Sequence, residues 1–190
     1  MSQPVVIDFE TQHVFREVDG DISKLRISVA GLYDYATDKY YTFTEDEIQK
    51  IFPFFESASL IIGFNIIHFD LPVLNPYYVG DLLKLPTLDL MTAVEEGLGH
   101  RAGLDDLLRE TLGTKKEGHG LLAVDYFREG KWDELKTYCL SDVRLTKDLY
   151  EYGKTHGKIY FKAVTGRKEI PVSWNTNAKA AANVSLTLGI

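Results

Sequence analysis

The stretch Val5-Val6-Ile7-Asp8-Phe9-Glu10-Thr11 puts two acids into a short β-branched and aromatic run near the start of the chain. Such residues favour strands, and side chains two residues apart on a strand point to the same face. We therefore expect Asp8 and Glu10 to project together from a buried strand. Carboxylates there are unfavourable unless they are paired or bind a metal, although two acids are also common where a strand end emerges into water.

A second acidic motif, Asn65-Ile66-Ile67-His68-Phe69-Asp70, follows the apolar residues 60–64, which we predict to be a strand. The motif therefore lies where a strand passes into a helix, a usual place for sites in α/β folds. Two roles are open for Asp70, a place in such a site or the N-cap of the following helix. Asn65 either contacts substrate or makes a turn, and His68 is expected to pack locally or contact substrate rather than bind a metal.

The third motif, Tyr138-Cys139-Leu140-Ser141-Asp142, lies within residues 132–152, where apolar residues recur at helical spacing. Tyr138 and Asp142 are four residues apart and share a helix face. The same spacing would also arise if Tyr138 were an ordinary buried residue and Asp142 an exposed acid without a site. If the fold gathers the four acids of the three motifs, their mutual repulsion requires cations. Hard oxygen ligands select Mg²⁺ or Mn²⁺, and two such ions suit phosphodiester cleavage.

The composition is that of an ordinary globular protein, because the 190 residues are 45% hydrophobic and 26% charged. No stretch approaches the roughly 18 uninterrupted apolar residues of a membrane span, and no signal-peptide pattern is seen. Cys139 is the only cysteine, so an intrachain disulfide is excluded. These features predict a cytoplasmic location without a membrane partner.

Charge divides the chain into an acidic body and a basic C-terminal part. Residues 154–190 hold six basic residues and one acid, which leaves 15 basic and 27 acidic residues in positions 1–153. We expect the basic part to be an extension packed on the domain formed by residues 1–153. It is interpreted as a clamp for phosphate-bearing substrate, an oligomer interface, a docking surface or an unevenly charged solvated surface.

Strand signals early in the chain give way to helical signals, which predicts a layered α/β domain. The expected strands are residues 5–10, 25–33, 39–43, 60–64 and 87–90. The expected helices are residues 45–57, capped by Thr44, and residues 91–98, 104–112, 121–128 and 132–152. Residues 159–164 and 170–174 are expected to form a hairpin around a turn at residues 165–168, and residues 175–190 are not assigned.

Taken in order, the motifs Asp-x-Glu, Asn-x-x-x-Phe-Asp and Tyr-x-x-x-Asp resemble those of the DEDD (DnaQ-like) 3′–5′ exonuclease superfamily. Tyr138 is typical of the DEDDy branch, since the DEDDh branch would have histidine where this chain has Thr137. Residues 63–72 and 138–142 most resemble the proofreading exonuclease domains of family-B DNA polymerases and their stand-alone relatives. The resemblance covers residues 5–152 and implies an RNase H-like fold, a mixed central β-sheet flanked by α-helices.

The resemblance also implies a site. Asp8, Glu10, Asp70 and Asp142 would hold two Mg²⁺ or Mn²⁺ ions, and Tyr138 would orient the attacking water or help to deprotonate it. The residues expected to contact substrate are Phe9, Thr11, Asn65, His68 and Phe69. The implied activity is hydrolysis of single-stranded or frayed DNA 3′ ends to nucleoside 5′-monophosphates.

Several alternatives remain open at this level. RNA trimming is the nearest one, followed by a catalytically silent nucleic-acid-binding or scaffold domain and by an endonuclease on the same fold. The partners implied are single-stranded 3′ ends, DNA favoured over RNA, and a polymerase, helicase or other repair or replication protein. Asp89 is interpreted as structural rather than as a metal ligand. Residues 115–120 are interpreted as a loop that either touches phosphate or is plain surface.

Overall fold

A mixed β-sheet of five strands forms the centre of the molecule. The computed structural model describes residues 2–116, 118 and 120–174. The strands are β1 (Val5–Thr11), β2 (Ile27–Asp34), β3 (Lys39–Thr44), β4 (Ile61–Gly63) and β5 (Thr87–Asp89). They lie in the order β3-β2-β1-β4-β5, with β1 antiparallel to β2 and parallel to β4. The central strand β1 is therefore the one that carries the first acidic motif.

Helices pack around this sheet, and a two-stranded hairpin follows the last of them. The helices are α1 (Phe52–Ser57), α2 (Asp70–Leu74), α3 (Leu90–Leu98), α4 (Leu104–Leu112), α5 (Gly120–Arg128) and α6 (Trp132–His156). The hairpin strands are β6 (Lys158–Ala163) and β7 (Gly166–Pro171). Short 3₁₀ helices span Phe15–Glu17, Ile22–Lys24, Glu45–Ile51, Asn75–Tyr77 and Leu82–Lys84. The predicted α/β class and the C-terminal hairpin are confirmed.

The two faces of β1 belong to different cores. Val5, Ile7 and Phe9 are buried in a cluster with α1 and α2, whereas Val6 is buried in a cluster with α3, α4 and α6. Because side chains alternate along a strand, Asp8 and Glu10 share the Val6 face. Helix α6 therefore packs over the same side of the sheet as the two acids.

Helix α6 lies unusually close to the sheet at one point. A Cβ atom added to Gly31 in β2 would lie 2.8 Å from Cys139 Sγ, closer than real side chains approach. The thiol of Cys139 also donates a hydrogen bond to the carbonyl oxygen of Asp8, over 3.2 Å. The absence of a side chain at Gly31 therefore lets α6, with Tyr138 and Asp142, lie directly against β1.

The prediction of one helix over residues 45–57 is wrong, because the segment is divided into two helices of different type. Residues Glu45–Ile51 are a 3₁₀ helix, α1 begins only at Phe52, and Thr44 makes no side-chain capping bond. Pro53 has no N–H to donate, so a continuous α-helix is interrupted there and α1 starts with the proline in its first turn. The Glu45 carboxylate is held instead by tertiary partners, among them Arg26 at 2.5 Å.

The hairpin turn is two residues earlier than predicted. Ala163 pairs directly with Gly166, so the turn consists of Val164 and Thr165 rather than residues 165–168. Gly166 has a positive φ of 111°, which glycine adopts without the strain other residues meet. Residues 175–190 of the predicted extension lie outside the described residues. Across the part of the chain that the structure describes, no helix combines the length and apolarity needed to cross a bilayer.

Candidate active site

Acids from the first and third motifs meet between β1 and α6. Asp8, Glu10 and Asp142 each place one carboxylate oxygen within 4.8 Å of the others. Glu10 and Asp142 are buried, at 8% and 1% exposure. Oxygen ligands of one Mg²⁺ or Ca²⁺ ion lie 2.0–2.6 Å from it, so oxygens at this spacing are able to share a cation.

Asp70 lies beside these three acids and is held by the backbone of β1. It is the first residue of α2, is 3% exposed, and its Oδ1 accepts a hydrogen bond of 2.8 Å from the Phe9 N–H. The N-cap residue of α2 is Phe69, so the N-cap role considered for Asp70 is wrong. The Asp70 carboxyl instead faces the strand that carries Asp8 and Glu10.

Burial and mutual repulsion make this group of acids reluctant to ionise. Burial raises the pKa of Asp8 well above its usual range, and the charges of Asp142, Glu10 and Asp70 raise it further. Burial raises the pKa of Glu10 to about 8 and that of Asp70 to about 7. A divalent cation among the carboxylates would reverse these effects by favouring the ionised forms.

Lys116 supplies a positive charge to the same group. Its Nζ lies 2.5 Å from Asp142 Oδ2 and 5.5 Å from the centre of the Tyr138 ring. Its backbone N–H donates to Asp105 Oδ1 at the start of α4, over 2.8 Å. Burial alone would lower the pKa of Lys116, but the charges of Asp8 and Asp142 outweigh burial and raise it, so the ammonium is retained.

Sequence reasoning missed this role of Lys116, since it assigned residues 115–120 only to phosphate contact or plain surface. The one local signal is a pair of lysines between Gly113 and Gly118. Nothing in that pattern tells which lysine turns inward. Two residues of the same loop, Glu117 and His119, lie outside the described part of the chain.

Tyr138 is buried beside the acids, one helical turn before Asp142. Its hydroxyl has no hydrogen-bond partner of good geometry among the described residues. Burial raises the pKa of Tyr138, so the hydroxyl keeps its proton at neutral pH. A buried hydroxyl without a partner is unfavourable by about 1–3 kcal/mol.

A cavity of about 410 Å³ opens onto the acids, a size within the range of small-molecule sites. Asp8, Glu10, Asp70 and Lys116 line its polar part. The expected substrate residues Phe9, Thr11, Asn65 and Phe69 also line it, together with the apolar residues Val14, Phe15, Leu25, Phe64, Leu121 and Val124. His68 is exposed and lies outside this lining, so its contact with substrate stays a prediction.

Phe15 was not singled out by the sequence, because it lies outside the three motifs. It is 49% exposed, and its ring centre lies 5.8 Å from that of Phe69. Glu17 of the same short helix forms an ion pair with Arg128 of α5, with an N···O distance of 2.6 Å. The short helix that carries Phe15 is therefore tied to α5, which contributes Leu121 and Val124 to the cavity lining.

Asp89 organises the loop of the second motif, as its structural interpretation predicts. Its carboxylate accepts hydrogen bonds from the N–H groups of Asn65 at 2.8 Å, Ile67 at 3.0 Å and Met91 at 3.0 Å. Asn65 has a positive φ of 65°, a conformation that needs such support in a residue other than glycine. Asp89 thus fixes the backbone that leads to Phe69 and Asp70.

Comparison with known proteins supports the architecture. No protein-family model and no curated protein sequence matches this chain. Two similar solved structures are the family B DNA polymerase of the hyperthermophilic archaeon Pyrobaculum calidifontis (TM-score 0.63) and Trypanosoma brucei RNase D (TM-score 0.59). Each is 18% identical and matches 80% of this chain.

The chain spans only part of both proteins, 24% of the polymerase and 57% of the RNase D. Similarity at this level of identity concerns the fold. The RNase H-like architecture expected from the DEDD resemblance is thereby confirmed.

Proposed function

We propose that the chain is a metal-dependent 3′–5′ exonuclease of the DEDDy type. The observation that carries the proposal is the convergence of Asp8, Glu10 and Asp142 within 4.8 Å, with Asp8 and Glu10 lining a cavity that also contains aromatic side chains. Buried Asp70 lies on the same cavity. The fold is shared with a DNA polymerase and an RNase D, both of which act on nucleic acid.

The donor set suits two Mg²⁺ or Mn²⁺ ions held by Asp8, Glu10, Asp70 and Asp142. All four groups are carboxylates, the ligands that these hard cations prefer. Their raised pKa values mean that cation binding displaces protons and relieves repulsion among the acids. When bound, the ions would supply Lewis-acid stabilisation of the phosphate and lower the pKa of a water molecule.

The remaining residues have separate roles in this proposal. The protonated hydroxyl of Tyr138 donates a hydrogen bond that orients the attacking water, because its raised pKa makes it a poor base. The rings of Phe9 and Phe69 pack against the terminal base, a sequence-tolerant contact. Asn65 and Thr11 meet the terminal nucleotide through their polar groups.

The substrate is proposed to be a single-stranded or frayed 3′ end, released as nucleoside 5′-monophosphates. DNA is favoured because the motifs most resemble those of family-B polymerases. RNA is the second candidate, favoured by the structural similarity to an RNase D. A polymerase, helicase or other repair or replication partner, and a cytoplasmic location, stay predictions.

The test is hydrolysis of 5′-labelled single-stranded DNA and RNA oligonucleotides with Mn²⁺, Mg²⁺ or EDTA. We expect a metal-dependent ladder that shortens from the 3′ end and a circular single strand that resists cleavage. Asp8→Ala should abolish hydrolysis while its thermal unfolding stays cooperative. Asp46→Ala, which removes an exposed acid outside the cavity, is the control. Full activity of Asp8→Ala would overturn the site assignment, and cleavage of RNA alone would select the second candidate.

A further inference from the structure

The β6–β7 hairpin presents a basic face to solvent. In its register Tyr160 is opposite Glu169 and Lys162 is opposite Arg167, and residues opposite each other share a face. The other face carries Ile159 and is buried in the core with α4 and α6. The hairpin is thus fixed to the domain by one face and leaves the other free for a partner.

Cations and an aromatic ring are combined on this outer face. The guanidinium carbon of Arg167 lies 3.6 Å from the centre of the Tyr160 ring. Lys158 pairs with Glu169 over 2.7 Å, whereas Lys162 and Arg167 form no ion pair with any described residue. Residues 1–153 carry 12 more acids than bases, so this face stands out from an acidic body.

The hairpin is braced by a segment that leads directly to the acids. The Tyr160 N–H donates to Thr111 Oγ1 over 3.0 Å, and the same hydroxyl donates to the Tyr160 carbonyl over 3.2 Å. Thr111 belongs to α4 and precedes Lys116 by five residues. Five residues span at most about 18 Å, so the hairpin lies within that reach of Lys116. A stacked strand advances roughly 3.4 Å per nucleotide, so this upper limit corresponds to about five nucleotides.

We propose that this outer face binds the single strand a few nucleotides upstream of the 3′ end being hydrolysed. The proposal rests on the proposed function. Phosphates would contact Lys162 and Arg167, while a base would stack on the face of the Tyr160 ring that the Arg167 guanidinium does not cover. This combination of cations and an aromatic ring is the usual physical basis of sequence-independent single-strand binding.

The experiment measures fluorescence anisotropy of labelled DNA and RNA oligonucleotides of about 4 and about 20 nucleotides in EDTA, lengths chosen from the span above. Lys162→Gln combined with Arg167→Gln is compared with Lys50→Gln combined with Lys84→Gln. The control pair removes the same charge from exposed lysines that pair locally with Glu47 and Asp81. We expect the hairpin variant to bind the long strand several-fold more weakly and the short strand as the wild type does.

Salt dependence provides a second measurement. Each phosphate contact on a single strand contributes about −0.7 to the slope of log K against log salt concentration. The hairpin variant should therefore lose about 1.4 from the magnitude of that slope on the long strand, and the control pair should lose nothing. Tyr160→Leu, which leaves every charge in place, should weaken long-strand binding without changing the slope.

The outcomes separate the hairpin from the active site. Equal affinity of wild type and hairpin variant for the long strand would overturn the proposal, while hydrolysis of the short strand at the wild-type rate would leave the exonuclease intact. If the hairpin variant loses the same affinity for the short and the long strand, the effect lies in the cavity, and the proposed role of the hairpin is also overturned. If the wild type binds neither DNA nor RNA, the proposed function and the hairpin proposal fail together.

Discussion

The ammonium nitrogen of Lys116 lies 2.5 Å from Asp142 Oδ2, so the chain itself delivers a cation to its cluster of acids. Asp142 is almost fully buried, and the side chain of Lys116 is 26% exposed. A buried carboxylate without a partner is strongly unfavourable, and Lys116 provides that partner in the metal-free protein. A metal ion that binds Asp142 must therefore compete with Lys116 or draw Asp142 away from it.

Replacing Lys116 with methionine should have opposite effects on stability and on metal binding. In EDTA the free energy of unfolding should fall by about 3 kcal/mol, because buried acids lose their partner. The apparent affinity for Mn²⁺ should rise several-fold, because the competing charge is gone. Thermal unfolding and Mn²⁺ titration would measure the two effects. Lys115→Met, at the exposed neighbouring position, should change neither. A weaker affinity for Mn²⁺ would show that Lys116 supports the metal site rather than competing with it.

Tyr138→Phe should separate catalysis from stability. The hydroxyl of Tyr138 has no hydrogen-bond partner of good geometry among the described residues, so the melting temperature should stay the same or rise slightly. The rate should fall about 10²-fold if the hydroxyl positions the attacking water. Single-turnover hydrolysis and Mn²⁺ titration would measure the rate and the metal affinity, and the affinity is expected to be unchanged. A large drop in melting temperature would instead assign Tyr138 a structural role.

Stability in EDTA should fall as the pH rises from about 5 to about 8. Burial raises the pKa of Glu10 to about 8 and that of Asp70 to about 7. Across this window the folded chain keeps protons that the unfolded chain has released, and stability then decreases with pH. Mn²⁺ binds the ionised acids, so its stabilising effect should be greatest at the alkaline end.

Thermal unfolding at several pH values, with EDTA or Mn²⁺, would test this linkage. Glu10→Gln removes one of the acids whose pKa is raised and should flatten the dependence measured in EDTA. A metal-free protein that grows more stable over the same window would contradict the raised pKa values. An equal Mn²⁺ effect at both ends would argue against proton displacement by the metal.

Asp89→Asn should damage the site without touching a proposed ligand. An amide has one acceptor oxygen, whereas the Asp89 carboxylate accepts from the N–H groups of Asn65, Ile67 and Met91 through both oxygens. The loss should lower the free energy of unfolding by about 2 kcal/mol. It should also raise KM, because the loop carrying Asn65 and Phe69 is loosened. Asp81→Asn makes the same change at the exposed N-cap of a 3₁₀ helix and should leave KM unaltered. An unchanged KM for Asp89→Asn would limit its role to folding.

Much of the fold could be predicted because local backbone preferences act over a few residues. A short β-branched run marks β1, alternating apolar residues mark β2, flanking glycines mark α4 and helical spacing marks α6. The predicted and observed positions of these elements agree closely. The change from a 3₁₀ helix to an α-helix near Pro53 is not predicted, although proline is known to interrupt helices. The capping sequence at Thr44 predicts a helix that starts there, but the missing N–H of Pro53 outweighs it.

The acids of the candidate site could be predicted from the sequence, since carboxylates at fixed spacing on a strand and a helix indicate a possible cation site. The contacts that each of these groups makes depend on the tertiary structure. The Asp70 carboxylate accepts a hydrogen bond from the backbone N–H of Phe9, which lies 61 residues earlier in the chain. Lys116 reaches Asp142 from a loop in which no local sequence pattern predicts an inward-pointing lysine. The partner of a buried charge is chosen by three-dimensional packing and by the need to neutralise that charge, and neither is encoded within a few neighbouring residues.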